Sequence, residues 1–410
     1  MDTKPLEKFA QTARRQLHEQ VRARLEQVLR TDSPELRAKA PIVAELNKQI
    51  AQSSRQAVVE QVAYTWFNRF CALRYMDANH YTRMGVVSPA QGFTQPEMLQ
   101  EAKAGHIDPD LAPFVDSQRV FDLLSGRLPS PDPQQEAYRL LLVGSCNQYH
   151  AAMPFLFEAI DDYTELLMPD DLLSASSVLT ATRDTLTAET CQDVEVIGWL
   201  YQFYISEKKD AVIGAKKAIT PENIPAATQL FTPHWIVRYL VENSLGRLWL
   251  QHRPNSRLAE KMEFYIAPDT DQTLRVSETL RVSKPEDLTI CDPAVGSGHM
   301  LTYAFDLLVA IYEEEGYNPP DIPRLILQHN LTGLEIDERA AALAAFALTM
   351  KARAKDRRFF RRGVAPNVTT LRPIAFTEAE LDAEVAALTP LLAGSWQEAP
   401  RQMSLLAESQ

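Results

Sequence analysis

The part of this chain best equipped for chemistry is an aspartate that closes a short apolar run and is followed by two glycines. Leu288-Thr289-Ile290-Cys291 leads into Asp292-Pro293-Ala294-Val295-Gly296-Ser297-Gly298-His299, and an apolar helix-like stretch runs from Met300 to Ile311. A strand, a tight glycine turn and a helix let backbone N–H groups approach a small ligand closely. The carboxylate at the strand end would repel a pyrophosphate, so the turn suits a ligand that carries positive charge. Position 301 is leucine, so the third glycine of the G-x-G-x-x-G dinucleotide fingerprint is missing.

Two further segments fit the same ligand. In Thr332-Gly333-Leu334-Glu335-Ile336-Asp337, Glu335 stands where a carboxylate could accept two hydrogen bonds from a ribose diol. Asp337 shares its side of an extended strand, but it could instead cap a helix beginning near Glu338. In Phe231-Thr232-Pro233, Thr232 matches a helix N-cap and Pro233 a first helical residue, ahead of a helix spanning Ile236 to Leu250. S-adenosyl-L-methionine, with its ammonium and sulfonium, is the leading candidate ligand for these three segments.

The elements that position them alternate. Strand Leu288–Asp292, a helix to about Glu315, strand Leu331–Asp337, a helix to about Lys355 and strand Asn367–Leu371 form a βαβαβ rhythm. That rhythm predicts a parallel sheet, with ligands at the carboxyl ends of its strands. Upstream, residues 1 to about 62 read as amphipathic helix broken at Ser33-Pro34 and Pro41, with arginines 14, 15, 22, 24 and 30 along it. Val62 to Met76 reads as a helix buried on several sides, its aromatics in the core. Residues 85–135 read as loops with one or two small helices. From Glu136 to Tyr204 the helical pattern resumes, with apolar runs at Tyr138–Val143, Met153–Ile160 and Val194–Tyr204. Asp170-Asp171 and Thr187-Ala188-Glu189 look like helix starts. A domain boundary is expected near 206–222, where Lys208-Lys209-Asp210 through Lys216-Lys217 lacks periodicity. Residues 254–287 suggest a hairpin or excursion before the main sheet.

The bulk numbers narrow the class. The chain has 410 residues, is 45% hydrophobic and carries a formal net charge of −12, which argues against a wholly basic nucleic-acid wrapper. A local patch remains open: Lys351 to Arg362 holds seven basic residues and one acid. They would serve either as cations at a helix C-terminus or as phosphate contacts. Cysteines 71, 146, 191 and 291 show neither metal-ligand nor disulfide spacing, and no apolar stretch has the length of a membrane span. A cytoplasmic protein with reduced thiols, no bound metal and no membrane association is expected.

The order Leu-Phe-Thr-Pro, Asp-Pro-Ala-Val-Gly-Ser-Gly-His, Gly-Leu-Glu-Ile-Asp resembles the amino-methylating DNA methyltransferases of the gamma arrangement. The flanking text resembles more closely the PglX-type adenine-specific methyltransferases of BREX phage-defence systems. Tyr64-Thr65-Trp66-Phe67-Asn68-Arg69, Trp199-Leu200-Tyr201-Gln202-Phe203-Tyr204 and Asn330 through Arg353 carry that likeness. The resemblance implies that Phe231, Thr232 and Pro233 face the methionine end of S-adenosyl-L-methionine. Asp292, Pro293 and Ala294, with the backbone of Gly296 and Gly298, would frame its amino-acid moiety. Glu335 would hold the ribose, with Asp337 beside it, and Ile336 would pack on the adenine; His299 is read as structural.

Transfer to adenine N6 needs the base extruded, stacked on an aromatic and relieved of its amino hydrogens. The family does this with an Asn/Asp-Pro-Pro-aromatic tetrapeptide after the ribose-binding strand, and none follows Asp337. Asn318-Pro319-Pro320-Asp321 precedes that strand and ends in an acid, so it reads as a stiffened loop. No catalytic residue is therefore assigned. The expected architecture is α/β. A mostly helical domain (1–215) leads into the first strands of a Rossmann-like class I methyltransferase core (216–373). A helical and polar tail (374–410) follows, with an amphipathic helix from Glu378 to Leu392. The chain is expected to be the front part of a longer enzyme that acts on double-stranded DNA alongside other phage-defence proteins. The alternative is a cofactor-binding or assembly module whose chemistry other chains supply.

Overall fold

The computed structural model describes residues 3–31, 33–158, 162–215, 218–220, 223–230, 232–267, 282–372 and 377. Phe231, Lys216-Lys217, the middle of 254–287 and the helix expected from Glu378 to Leu392 lie outside the described residues.

Apolar residues recurring every three or four positions build the N-terminal helices. Along α1 (Lys4–Arg30) the stripe of Leu6, Phe9, Ala13, Leu17, Val21 and Leu25 is buried. After it come α2 (Pro34–Ala38), α3 (Ala40–Gln52) and α4 (Arg55–Ala78), broken close to the expected prolines. Ser54 caps α4 by accepting from Ala57 N–H at 3.1 Å. Helix α4 is buried around its circumference, and Tyr64, Trp66, Phe67 and Phe70 are core residues. Arg14 and Arg15 pair with Glu207, and Arg24 pairs with Asp170, so these three cations are engaged within the chain.

Between 85 and 135 the chain is mostly turns, with α5 (Glu97–Lys103) and α6 (Ser117–Leu124) as the small helices. Helices α7 (Pro133–His150), α8 (Tyr163–Leu166), α9 (Val178–Thr185) and α10 (Glu195–Gly214) complete the bundle. Three sequence expectations need correcting here. Within the apolar run Met153–Ile160, read as helical, Met153–Phe157 forms turns whose buried side chains plug the bundle, and its last two residues lie outside the described ones. Asp170-Asp171 starts no helix: Asp170 pairs with Arg139 and Arg24, and Asp171 accepts from Ser174 N–H at 3.0 Å in a turn. The α9 cap is Ser177 instead, and Thr187-Ala188-Glu189 precedes only a single 3₁₀ turn. Helix α10 itself continues through the aperiodic lysines to Gly214, and Lys208 reaches Glu60 at 2.9 Å.

Then α11 (Ile224–Thr228) leads to α12 (His234–Val241) and α13 (Arg247–His252), joined without a break by a π-helical turn at Glu242–Gly246. The described parts of 254–287 contain 3₁₀ turns and no strand, and the remainder of the expected hairpin or excursion lies outside the described residues. Next come β1 (Ile290–Asp292), α14 (His299–Glu314), α15 (Ile322–Leu325), β2 (Leu331–Glu335), α16 (Glu338–Lys355) and β3 (Asn367–Thr370).

The strands pair in the order β1-β2-β3, all parallel, with Ile290 opposite Leu331 and Glu335 opposite Thr370. Each is one or two residues shorter than the apolar pattern suggests. The ladder cannot start before Leu331, and it ends where Asp337 is needed as the N-cap of α16. Asp292 and Glu335 thus close two adjacent parallel strands at the same edge of the sheet.

The protein is mostly helical α/β, with two hydrophobic cores. One fills the helical bundle and the other surrounds the sheet, and α16 serves both. Its Leu343, Phe346 and Met350 join the first core, while Ala344, Leu348 and Ala352 join the second. A helix flanked on two sides needs small residues for close approach, which explains its alanine-rich sequence. The compact unit that holds these elements runs from Met1 to Thr370. Cys71, Cys146 and Cys191 are buried and unbridged, and Cys291 is exposed. Among the described residues, no helix is long and apolar enough to cross a membrane.

Candidate functional site

The glycine turn connects β1 to α14 in a fixed conformation. Gly298, with φ +94° and ψ +14°, is the N-cap of α14. Val295 is buried and donates its N–H to Leu334 O of β2 at 2.9 Å, which staples the turn to the neighbouring strand. Asp292 accepts from Ala294 N–H at 3.1 Å. Burial raises the Asp292 carboxyl above its ordinary range, and the Glu335 charge adds to that.

Glu335 is 6% exposed and ties three backbone groups together. Its carboxylate accepts from Gly296 N–H at 2.7 Å, Ile336 N–H at 2.9 Å and Asp337 N–H at 3.0 Å. The turn after β1 and the turn after β2 are therefore locked by one side chain. Asp337 caps α16 by accepting from Arg339 N–H at 3.0 Å, and its other oxygen accepts from the hydroxyl of Tyr201 in α10. Ile336 is 52% exposed, an apolar side chain held out at the strand end.

Thr232 and Pro233 sit one position differently from expectation. Pro233 is the N-cap of α12, extended at ψ +138°, and its carbonyl accepts from Ile236 and Val237 N–H. Proline fixes φ but leaves ψ free, so it can stand just outside a helix as well as just inside. Thr232 is therefore not a cap. It faces a cavity of about 220 Å³ that Asp292, Ala294 and Gly296 also line. Pro233, Pro293, Gly298, Glu335, Ile336 and Asp337 do not line that cavity, though Glu335 holds its wall through Gly296.

The remaining wall comes from the helical bundle. Gly198, Tyr201 and Gln202 of α10 line the cavity opposite the glycine turn, together with Gln229. Sequence reasoning used Trp199–Tyr204 only as a likeness and gave these residues no role. The available signal was Gly198, an unexplained glycine inside an apolar helix.

His299 is buried, its Nε2 3.0 Å from Ser297 Oγ. Burial pulls its imidazole down to about 4, and His18 in α1 is held down to about 4 in the same way. The stability that these two neutral rings contribute is fully present above their ordinary value of 6.5 and is lost as pH falls through about 4. Glu195 at the start of α10 has the opposite sign. Burial, helped by Asp193, pushes it to about 7 from 4.5, so its contribution is present below 4.5 and is lost as pH rises through 7. Asp292 acts with Glu195 at the acid end. Between pH 5 and 6.5, unfolding takes up as many as two protons on these histidines, falling to about one at pH 6.5, and releases up to one from Glu195. Stability is thus expected to rise with pH there, by at most about 1.4 kcal/mol per pH unit. Denaturant melts across that window check this; a stability that is flat or falling in the wild-type chain contradicts it.

Asn318-Pro319-Pro320-Asp321 is remote from this cavity. Helix α14 starts at the carboxyl edge of the sheet and runs away from it, so the loop after it lies at the opposite edge. There Asn318 donates to Asp321 at 2.8 Å. In the basic stretch, Lys351, Arg361 and Arg362 pair with Asp306, Asp110 and Asp356. Arg353 lies over the rings of Tyr81 and Phe360, and Phe359 is core.

A parallel sheet with two acid-ended strands and a glycine turn between them is an α/β arrangement, and it frames a candidate site for a small ligand. Sequence comparison then supplies the family. The chain is 49% identical over 344 residues to the adenine-specific methyltransferase BrxX of Escherichia coli O9:H4 (strain HS), covering 82% of this chain and 28% of that protein. It is 35% identical over 413 aligned positions to the adenine-specific methyltransferase PglX of Lacticaseibacillus casei (strain Zhang), covering 90% of this chain and 34% of that protein. The chain belongs to this PglX-type family, and it spans about a third or less of the length of these relatives. No family profile matches it. Among solved structures it aligns with the DNA-bound restriction-modification enzyme LlaBIII at 12% identity and TM-score 0.29, covering 83% of this chain and 21% of that one. The enzyme MmeI, also in complex with DNA, aligns at 14% identity and TM-score 0.27, covering 74% and 40%. Likeness at that level carries no argument about the fold.

Proposed function

We propose that this chain is the S-adenosyl-L-methionine-binding portion of a DNA adenine-N6 methyltransferase that marks host DNA within a BREX-type phage-defence system. The observation that carries the reading is the pair Asp292 and Glu335, which close adjacent parallel strands on either side of a glycine turn. The order β3-β2-β1 matches the first half of the 3-2-1-4-5-6 order of Rossmann-like sheets. Family membership supports the methyl-transfer chemistry. On this reading, residues 1–215 form a helical domain, 216–373 the donor-binding part of the core and 374–410 a tail.

The donor set fits the cofactor. Asp292 suits its ammonium, and the backbone N–H groups at the start of α14 suit its carboxylate. The Glu335 carboxylate, with about four acceptor sites and three backbone donors, keeps capacity for a ribose hydroxyl. Bound there, S-adenosyl-L-methionine would supply a methyl group activated by its sulfonium. The chain's own residues would bind and orient it; Thr232 and the exposed Ile336 would border the methionyl and adenine ends. Double-stranded DNA would be the partner of the complete enzyme, and other defence proteins would act beside it.

Calorimetry is expected to show S-adenosyl-L-methionine binding that Asp292→Ala weakens at least tenfold, with no binding of NAD. The chain alone is expected to transfer no tritiated methyl group to DNA. Binding indifferent to Asp292 would overturn the site, and robust methyl transfer would overturn the absence of a catalytic motif.

A further inference from the structure

Helix α10 belongs to the bundle, yet it crosses the glycine turn at close range. A Cβ on Gly198 would lie 2.7 Å from the His299 ring and 2.7 Å from Ser297 Oγ, so any side chain there would have to push one of these two aside. One turn further on, Tyr201 bonds Asp337 at the head of α16. Beside it, Gln202 lines the cavity, and its Oε1 is buried without a hydrogen-bond partner. A buried acceptor left unmade costs about 1–3 kcal/mol, so its retention at a cavity wall points to a donor that arrives with a ligand.

The cavity also fixes which end of the ligand that is. It is bounded by Asp292, Thr232 and the start of α14, whereas Glu335, placed for a ribose, lies behind Gly296 and outside it. We infer that Gln202 accepts a hydrogen bond from the α-ammonium of the amino-acid end of S-adenosyl-L-methionine, and that α10 thereby makes the helical bundle one wall of the donor pocket. This rests on the donor-pocket reading above. It adds a specificity element outside the sheet: a ligand without the amino-acid end gains nothing from α10.

Calorimetry on the 410-residue chain with two ligands tests it. The probes are S-adenosyl-L-methionine and 5′-methylthioadenosine, which shares the nucleoside but lacks the amino acid. Gln202→Leu is expected to weaken the first by about tenfold or more, the scale of one hydrogen bond to a charged donor, and to leave the second within about twofold. Gln202→Glu keeps an acceptor and is expected to retain binding of the first, which guards against a folding defect in the leucine variant. If Gln202→Leu binds both ligands as the wild type does, or loses both equally while its melt is unchanged, the assignment of Gln202 is overturned and the pocket stands. If the wild-type chain binds neither ligand, the donor-pocket reading fails and this inference falls with it.

Discussion

Replacing Glu335 with alanine is expected to weaken S-adenosyl-L-methionine binding severely and to lower stability in the same variant. The two effects have separate origins in one carboxylate. Its oxygens satisfy the backbone N–H groups of Gly296, Ile336 and Asp337. Ile336 is exposed enough for water to replace its bond, whereas Gly296 and Asp337 are half-buried and their donors are less readily hydrated. Leaving such donors unmade costs about 1–3 kcal/mol each, so a loss of about 2–4 kcal/mol is expected. Binding should fall by about a hundredfold, because the ribose loses a charge-assisted acceptor and the glycine turn loses its tether. Glu335→Gln separates the causes. The amide keeps one acceptor for the turn, so it should recover about half of the stability while still binding poorly. Calorimetry and denaturant melts on the two variants check this. Full stability in Glu335→Ala would mean that the tether is not formed.

The second large effect is expected at Gly298. An alanine there would adopt a left-handed backbone at φ +94°, which costs about 1–2 kcal/mol for an L-residue. Its Cβ would also lie 3.1 Å from Ala344 Cα and 3.2 Å from Ala344 Cβ, in the middle of α16. Ala344 is fully buried and its helix is packed against both cores, so α16 cannot give way, and overpacking adds about 1–3 kcal/mol. Gly298→Ala should therefore lose about 2–5 kcal/mol, with α14 displaced from the cavity it borders. A denaturation midpoint within experimental error of the wild type would show that the turn accommodates a side chain and that α14 and α16 are not in close contact there.

The sheet was readable because punctuation and pattern agree. Asp292 and the two glycines mark a strand end, and the apolar runs around them have strand or helix length, so β1, β2, α14 and α16 fall where the text places them. The bundle was less readable. Met153–Phe157 is as apolar as a helix face, but it packs as turns, because a hydrophobic run records burial and not conformation. Asp170 and Asp171 look like caps, yet they bind arginines and a serine turn. Thr232 matched an N-cap signal that Pro233 answers instead. The α10 wall was hidden for a different reason. Gly198, Tyr201 and Gln202 reach the site only through tertiary approach, and nothing local in the sequence says which loop a bundle helix will cross.

A crystal structure of the chain grown with S-adenosyl-L-methionine tests the donor pocket most directly. The ribose hydroxyls are expected within hydrogen-bond distance of the Glu335 carboxylate, and the amino-acid end between Asp292 and the first residues of α14. Ligand density away from both carboxylates, with the cavity beside Thr232 empty, would contradict the pocket as described.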